Sequence, residues 1–302
     1  MKTNRPNQPH NRPSFCKYVS AEVAKVILIN KTLRWSSPLL FDDPFDVTRV
    51  FAADTQPSEM QKYLIDELIE LIQDEAELSS ELNPKVRLMI ETFRKSGRND
   101  LKGKIINSLH DLKNELIMTS PALNELRKMW KDMALTFRIL CFSARNNIAS
   151  MWDRYADKYR GVVLEFSCLK ELDSPWLIAE PVQYRPSFLD KTGWGKLLTL
   201  DQGAVTKYIF YESCHTKTPD WLYQEEWRIV SFKRTGESGE YSDYKFNPKE
   251  LSAVYLGPEI EVEDRDIILA LLKQGLSHVN VYFGYITNGC CIEFRELPNV
   301  RV

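Results

Sequence analysis

The chain has 302 residues, of which 43% are hydrophobic and 27% charged, a globular composition with apolar material for one large domain or two ordinary ones. Its formal net charge of -2 gives no general pull toward nucleic acid or an anionic membrane, and no apolar run approaches the roughly 20 residues that cross a bilayer. Six cysteines without a CxxC pair and four scattered histidines support neither a disulfide framework nor a metal site, so a soluble, cytoplasmic, metal-free protein is expected.

Residues 1–14, rich in Pro, Asn and Arg, read as a disordered lead-in. From there to 302 the pattern predicts a single α+β domain: a mostly antiparallel sheet with flanking helices. Phe15 to Val19 forms a first strand, Ser20 is a helix cap, and the helix through Ala24, Ile27 and Leu28 ends at Asn30. Thr32 to Ser37 is a second strand, with Leu33 and Trp35 on one face and Arg34 on the other. Phe41-Asp42-Asp43-Pro44-Phe45-Asp46 then reads as a turn. Its aspartates admit two roles, bonding their own backbone amides or supplying acid to a site.

Residues 58–134 change texture. Apolar residues recur at helical spacing and the breaks fall at Asn83-Pro84, Gly97-Arg98-Asn99 and Ser120-Pro121, which predicts a helical insertion of about four amphipathic helices. Thr136 to Ser143 returns to strand. A short helix follows with Trp152, Tyr155 and Ala156 on one side, broken at Gly161 before the strand Val162 to Phe166, in which Val163 and Glu165 face opposite to Val162, Leu164 and Phe166. A short strand at Val182 to Tyr184 and a helix from about Thr199 to Cys214 come next.

Trp221 to Phe232 reads as one long aromatic strand. Alternation places Gln224, Glu226 and Arg228 on one face, with Trp221, Tyr223 and Trp227 as neighbouring walls. Two readings stay open: an ion pair on a solvated face, or a carboxylate held in a groove between aromatics, where partial desolvation suits ligand binding or acid/base work. The chain ends in strands at 251–256 and 279–297 around a helix from Val262 to Gln274. No GxGxxG, P-loop, nucleophile elbow or HExxH occurs.

Four ordered motifs carry a resemblance: Phe41-Asp42-Asp43-Pro44-Phe45-Asp46; Cys141-Phe142-Ser143; Trp152-x-x-Tyr155-Ala156 with Gly161 to Phe166; and Tyr223-x-x-Glu226-Trp227-Arg228. Together they resemble the bacterial family catalogued as domain of unknown function 2971, over residues 15 to about 260. That family usually has Asn at position 42 or 43 and Glu at 224. Relatives grouped with abortive-infection systems imply a setting in anti-phage defence. A second resemblance is to ADP-ribosyltransferases, whose split sheet carries a basic residue on the first strand, a strand ending in Ser, and a (Gln/Glu)-x-Glu pair on a later one. Lys17 or Arg34, Ser143, and Gln224-x-Glu226 fall in that order.

The resemblance implies NAD as substrate, with catalytic Glu226, Ser143 and Gln224, and ligand contacts from Lys17, Arg34, Asp43, Trp152, Tyr155 and Arg228. The chemistry asks for a cation at the pyrophosphate, an aromatic against nicotinamide, and a carboxylate to steady the ribose cation. The alternative is a non-catalytic sensor or partner-binding protein whose helical insertion recognises another protein.

Overall fold

In the computed structural model, residues 9–43, 46–47, 57–95, 103–109, 128, 130, 132–186, 189, 191–287 and 291–297 are described. The chain divides into two compact units, one formed by residues 1–42, 134–184 and 218–302, the other by 43–133 and 185–217.

The first unit is built on ten strands: β1 (Ser14–Val19), β2 (Thr32–Ser36), β3 (Phe137–Ser143), β4 (Val162–Ser167), β5 (Glu180–Pro181), β6 (Glu226–Phe232), β7 (Tyr241–Lys245), β8 (Leu251–Leu256), β9 (Asn280–Ile286) and β10 (Ile292–Glu296). They make one sheet, running β10-β9-β8-β4-β1-β3, with β6 and then β5 continuing from β3. Among the described pairs only β8 with β9 is parallel, the connection between them being helix α7 (Val262–Gly275). The class is α+β.

The sheet forks at β3. β6 pairs with β3 along its full length, from Phe137 opposite Phe232 to Ser143 opposite Glu226. On the other side of β3, β1 pairs only at Ser143, through Cys16, and β2 only at Ile139, through Ser36.

Alternation sorts the two faces. Phe15, Val19, Phe142, Val162, Leu164, Phe166 and Ile229 enter one core with helices α1 (Ala21–Asn30) and α7. Cys16, Tyr18, Val163 and Tyr255 face the other way, toward Met151 and Trp152. These two come from helix α4 (Ala149–Tyr155). Three successive left-handed residues, Asp157, Lys158 and Tyr159, then turn the chain into β4. A Cβ on Gly161 would meet the Val19 carbonyl at 2.2 Å, and one on Gly257 would meet the Tyr159 carbonyl at 2.0 Å, so only glycine lets these backbones approach.

The second unit contains α2 (Pro57–Gln73), α3 (Pro84–Lys95), a helical stretch at 103–109, α5 (Lys191–Thr199) and α6 (Gln202–His215). α2 packs along α5, burying Ile65, Ile69 and Ile72 beside Trp194 and Leu197. The block at 58–134 is therefore not an appendage alone: residues 185–217 complete its unit. Residues 110–127, expected to be helical, lie outside the described residues.

Three expectations change. From residue 9 the lead-in is placed: His10 is buried against Phe15 and Trp227, and Arg12 donates to the Ala144 carbonyl at 2.6 Å. The single strand over 221–232 is two elements, a 3-10 helix Pro219–Gln224 and then β6, separated by Glu225 at φ 44. A left-handed residue breaks the two-residue period, so Gln224 does not share the strand alternation of Glu226. The strand β7 carries no predicted counterpart; it pairs with β2 after the turn through Gly236 and Gly239.

Candidate functional site

Glu226 and Arg228 point to the same face of β6, as alternation requires, but that face is buried and not solvated. Glu226 is 6% exposed and Arg228 1%. The guanidinium grips the carboxylate with both prongs, Nε to Oε1 at 2.7 Å and Nη2 to Oε2 at 3.1 Å. This fork-to-fork geometry is the strong form of a charge-assisted hydrogen bond. Arg228 also lies over the Phe41 ring, 5.4 Å from its centroid.

Ser143 stands directly opposite Glu226 across the β3/β6 ladder. Its hydroxyl donates to the Gln224 carbonyl at 2.8 Å, which ties the end of β3 to the 3-10 turn that enters β6. Two residues along β3, and opposite Arg228, the Cys141 thiol hydrogen-bonds to the Glu226 carboxylate. Burial, and then the adjacent Glu226 charge, push that thiol up to about 12. Cys141 is thus held as the protonated donor, not as a nucleophile.

Lys17 reaches the same place from β1. Between its two short contacts with β1 and β2, the fork side of β3 has no strand beside it, and the Lys17 ammonium donates to the Cys141 carbonyl there at 2.9 Å. Burial lowers the Lys17 pKa, against the pull of Cys141 and Glu226, which raises it. The cation therefore closes the fork at the Cys141 carbonyl.

The other expected residues separate. Gln224 is buried, and its side-chain amide donates to the Tyr155 hydroxyl at 2.8 Å. Tyr155, half-buried, thus adjoins the turn before Glu226. Trp152 does not: it is 0% exposed, packs edge-on to Tyr18 at 5.6 Å, and donates its indole N–H to the Asn146 carbonyl. It is core. Arg34 is exposed at the β2/β7 pair, over the Tyr241 ring and 3.4 Å from Asp243, so it is a surface cation away from the fork. Asp43 is buried in the second unit.

Two groups at this site had no reading as site residues in the sequence. Cys141 passes for a small hydrophobe, although its two-residue spacing from Ser143 already places both on one face. Tyr184 accepts the Glu226 backbone N–H with its hydroxyl at 2.8 Å, a contact that only the folded chain creates. Among the described residues, no group of three or more His, Cys, Asp or Glu side chains could hold a metal ion, and no helix is long and apolar enough to cross a membrane.

Residues 151–229 match a family model described as protein of unknown function (DUF2971). That segment runs from α4 through β4 to the Glu226–Arg228 pair on β6. No curated protein and no solved structure matches the chain.

Proposed function

We propose that this protein is an ADP-ribosyltransferase-like enzyme that takes NAD as substrate, with Glu226 as its central carboxylate. One observation carries the reading: Ser143 and Glu226, from distant sequence segments, are partners in the β3/β6 ladder, and the Lys17 ammonium of β1 bonds β3 two residues away, at the Cys141 carbonyl. Arg228 holds both oxygens of the carboxylate, and the Cys141 thiol bonds it as well.

In that role the fixed negative charge of Glu226 would steady the ribose cation as the bond from the anomeric carbon to nicotinamide breaks. Nicotinamide leaves with the bonding electron pair, and an acceptor oxygen or nitrogen forms the new bond, losing its proton. Arg228 and Cys141 hold the carboxylate still, so little reorganisation is needed at the moment of reaction. Tyr155 and Tyr184 are the half-buried aromatics beside the site and the candidates to lie against nicotinamide. Trp152, fully buried, is not. Under this reading the activity would serve anti-phage defence, where uncontrolled NAD loss would be toxic.

The test is NAD consumption by the purified chain, alone and with bacterial lysate, for wild type and Glu226→Gln. Loss of turnover in a folded Glu226→Gln protein supports catalysis; equal turnover of the two proteins rejects it. A second reading, a non-catalytic sensor or partner-binding protein, is favoured by the complete burial of Trp152 and the full pairing of both Glu226 oxygens. It predicts no NAD consumption under either condition.

A further inference from the structure

Helix α1 is apolar nearly all the way round. Its inner side puts Ala21, Ala24, Ile27 and Leu28 into the core shared with α7. Its outer side carries Val23, Val26 and Ile29, which are 46%, 53% and 59% exposed. Single exposed aliphatics are ordinary on a protein surface, but these three recur at steps of three and so form one stripe about 9 Å long down the helix. A helix that is hydrophobic on every side is normally a buried one, and among the described residues nothing covers this side.

The stripe is tied down and bounded by polar groups. Lys25, on the flank of α1, donates to Asp264 of α7 at 2.9 Å, which fixes the two helices side by side. Ile267, 39% exposed, lies one turn after Asp264 on the same side of α7 and continues the apolar surface onto the neighbouring helix. Along α1 the exposed residues run Glu22-Val23-x-x-Val26-x-x-Ile29-Asn30, with Lys31 as the left-handed cap. This order is symmetric about Val26: an aliphatic residue stands three positions to either side of it, and a polar residue four positions to either side.

We propose that the outer face of α1 docks on the same face of a second copy of this chain, the two helices crossing antiparallel on a two-fold axis at Val26. A two-fold contact needs a surface complementary to itself, and the symmetric order of α1 supplies one. Val26 meets Val26 of the second copy, and Val23 meets Ile29 of the second copy. Glu22 comes within reach of Lys31 of the second copy, and the same pair recurs at the other end, so two opposite-charge contacts flank the apolar stripe. A parallel crossing would instead set Glu22 against Glu22. The patch is small, on the scale of weak and transient interfaces, so the dimer forms and parts with concentration. This contact does not depend on the chemistry at Glu226.

Sedimentation equilibrium of the full chain is the test. The weight-average mass of wild type should rise from one chain toward two as the protein is concentrated from about 1 to about 500 μM, the range in which a small interface assembles. Val26→Glu brings two carboxylates together on the axis and should weaken association at least about tenfold. Because Val26 is exposed, this variant should melt as wild type does when both are dilute. Glu22→Lys and Lys31→Glu each set like charges together and should each weaken the dimer several-fold. The two changes combined restore opposite charges and should recover most of the wild-type association. A wild type that stays monomeric throughout overturns the proposal and leaves the stripe to a different protein. So does a dimer that Val26→Glu leaves intact, since it would use another face. A combined variant that associates no better than the single ones overturns the antiparallel crossing.

Discussion

Replacing Glu226 by alanine leaves Arg228, 1% exposed, without its carboxylate. Both prongs of the guanidinium, now at 2.7 and 3.1 Å from the two oxygens, would lose their acceptors in a place that water does not reach. Removing one partner of a buried pair costs about 3–5 kcal/mol, because the remaining charge keeps its desolvation penalty and loses its compensation. At about 2–4 °C per kcal/mol for a chain of this order, the melting temperature should fall by roughly 6–20 °C. The informative comparison is a cycle with Arg228→Met and the double variant. Methionine keeps apolar contact with the Phe41 ring while removing the charge. If the pair is held mainly by mutual compensation, the double variant should be more stable than the sum of the single losses predicts, by about 1–3 kcal/mol. Thermal melts of the four proteins measure this. Glu226→Ala within about 1 kcal/mol of wild type, or strictly additive losses, would refute the reasoning. The same arithmetic is why Glu226→Gln is the variant for activity: its amide oxygen still accepts from Arg228.

Trp152→Ala should destabilise by about 3–5 kcal/mol, since the whole indole is buried against Tyr18 and Phe294; a urea midpoint unchanged from wild type would show that the ring is not core. Lys17→Met should change how stability depends on pH. Burial lowers the folded pKa of Lys17 below its unfolded value, so through that window the unfolded chain binds more protons and wild-type stability rises with pH. Wild type should therefore gain on Lys17→Met as pH rises toward about 10.5, the unfolded lysine value; a difference in urea unfolding that stays flat up to that pH contradicts it.

Much of the first unit could be read from local pattern alone. Ser20 caps α1 by accepting the Val23 amide, Ser143 ends β3 at the loop before α4, and Gly161 separates the Trp152 helix from β4, each where residue type and period require. The split of β4 into Val163 and Glu165 against Val162, Leu164 and Phe166 follows from a period of two, and the two cores divide along it. Such features depend on neighbours in the chain, which a sequence displays directly.

The partners across the sheet do not. Lys17 and Arg34 are equivalent as written, each a lone cation in a short strand, yet only Lys17 reaches Cys141, because the fork leaves one carbonyl of β3 without a strand beside it. The Gln224-x-Glu226 spacing looks like strand alternation, and a single left-handed residue between them cancels it, a conformation set by the 3-10 turn packed before β6. Glu226 with Arg228 reads equally as a solvated or a buried pair until burial is known. The register that sets Glu226 opposite Ser143, Ser143 opposite Cys16 and Cys16 opposite Glu165 has no sequence signature at all. Register between strands far apart in the chain is decided by which side chains must share a core, and that choice is made only when the sheet closes on its helices.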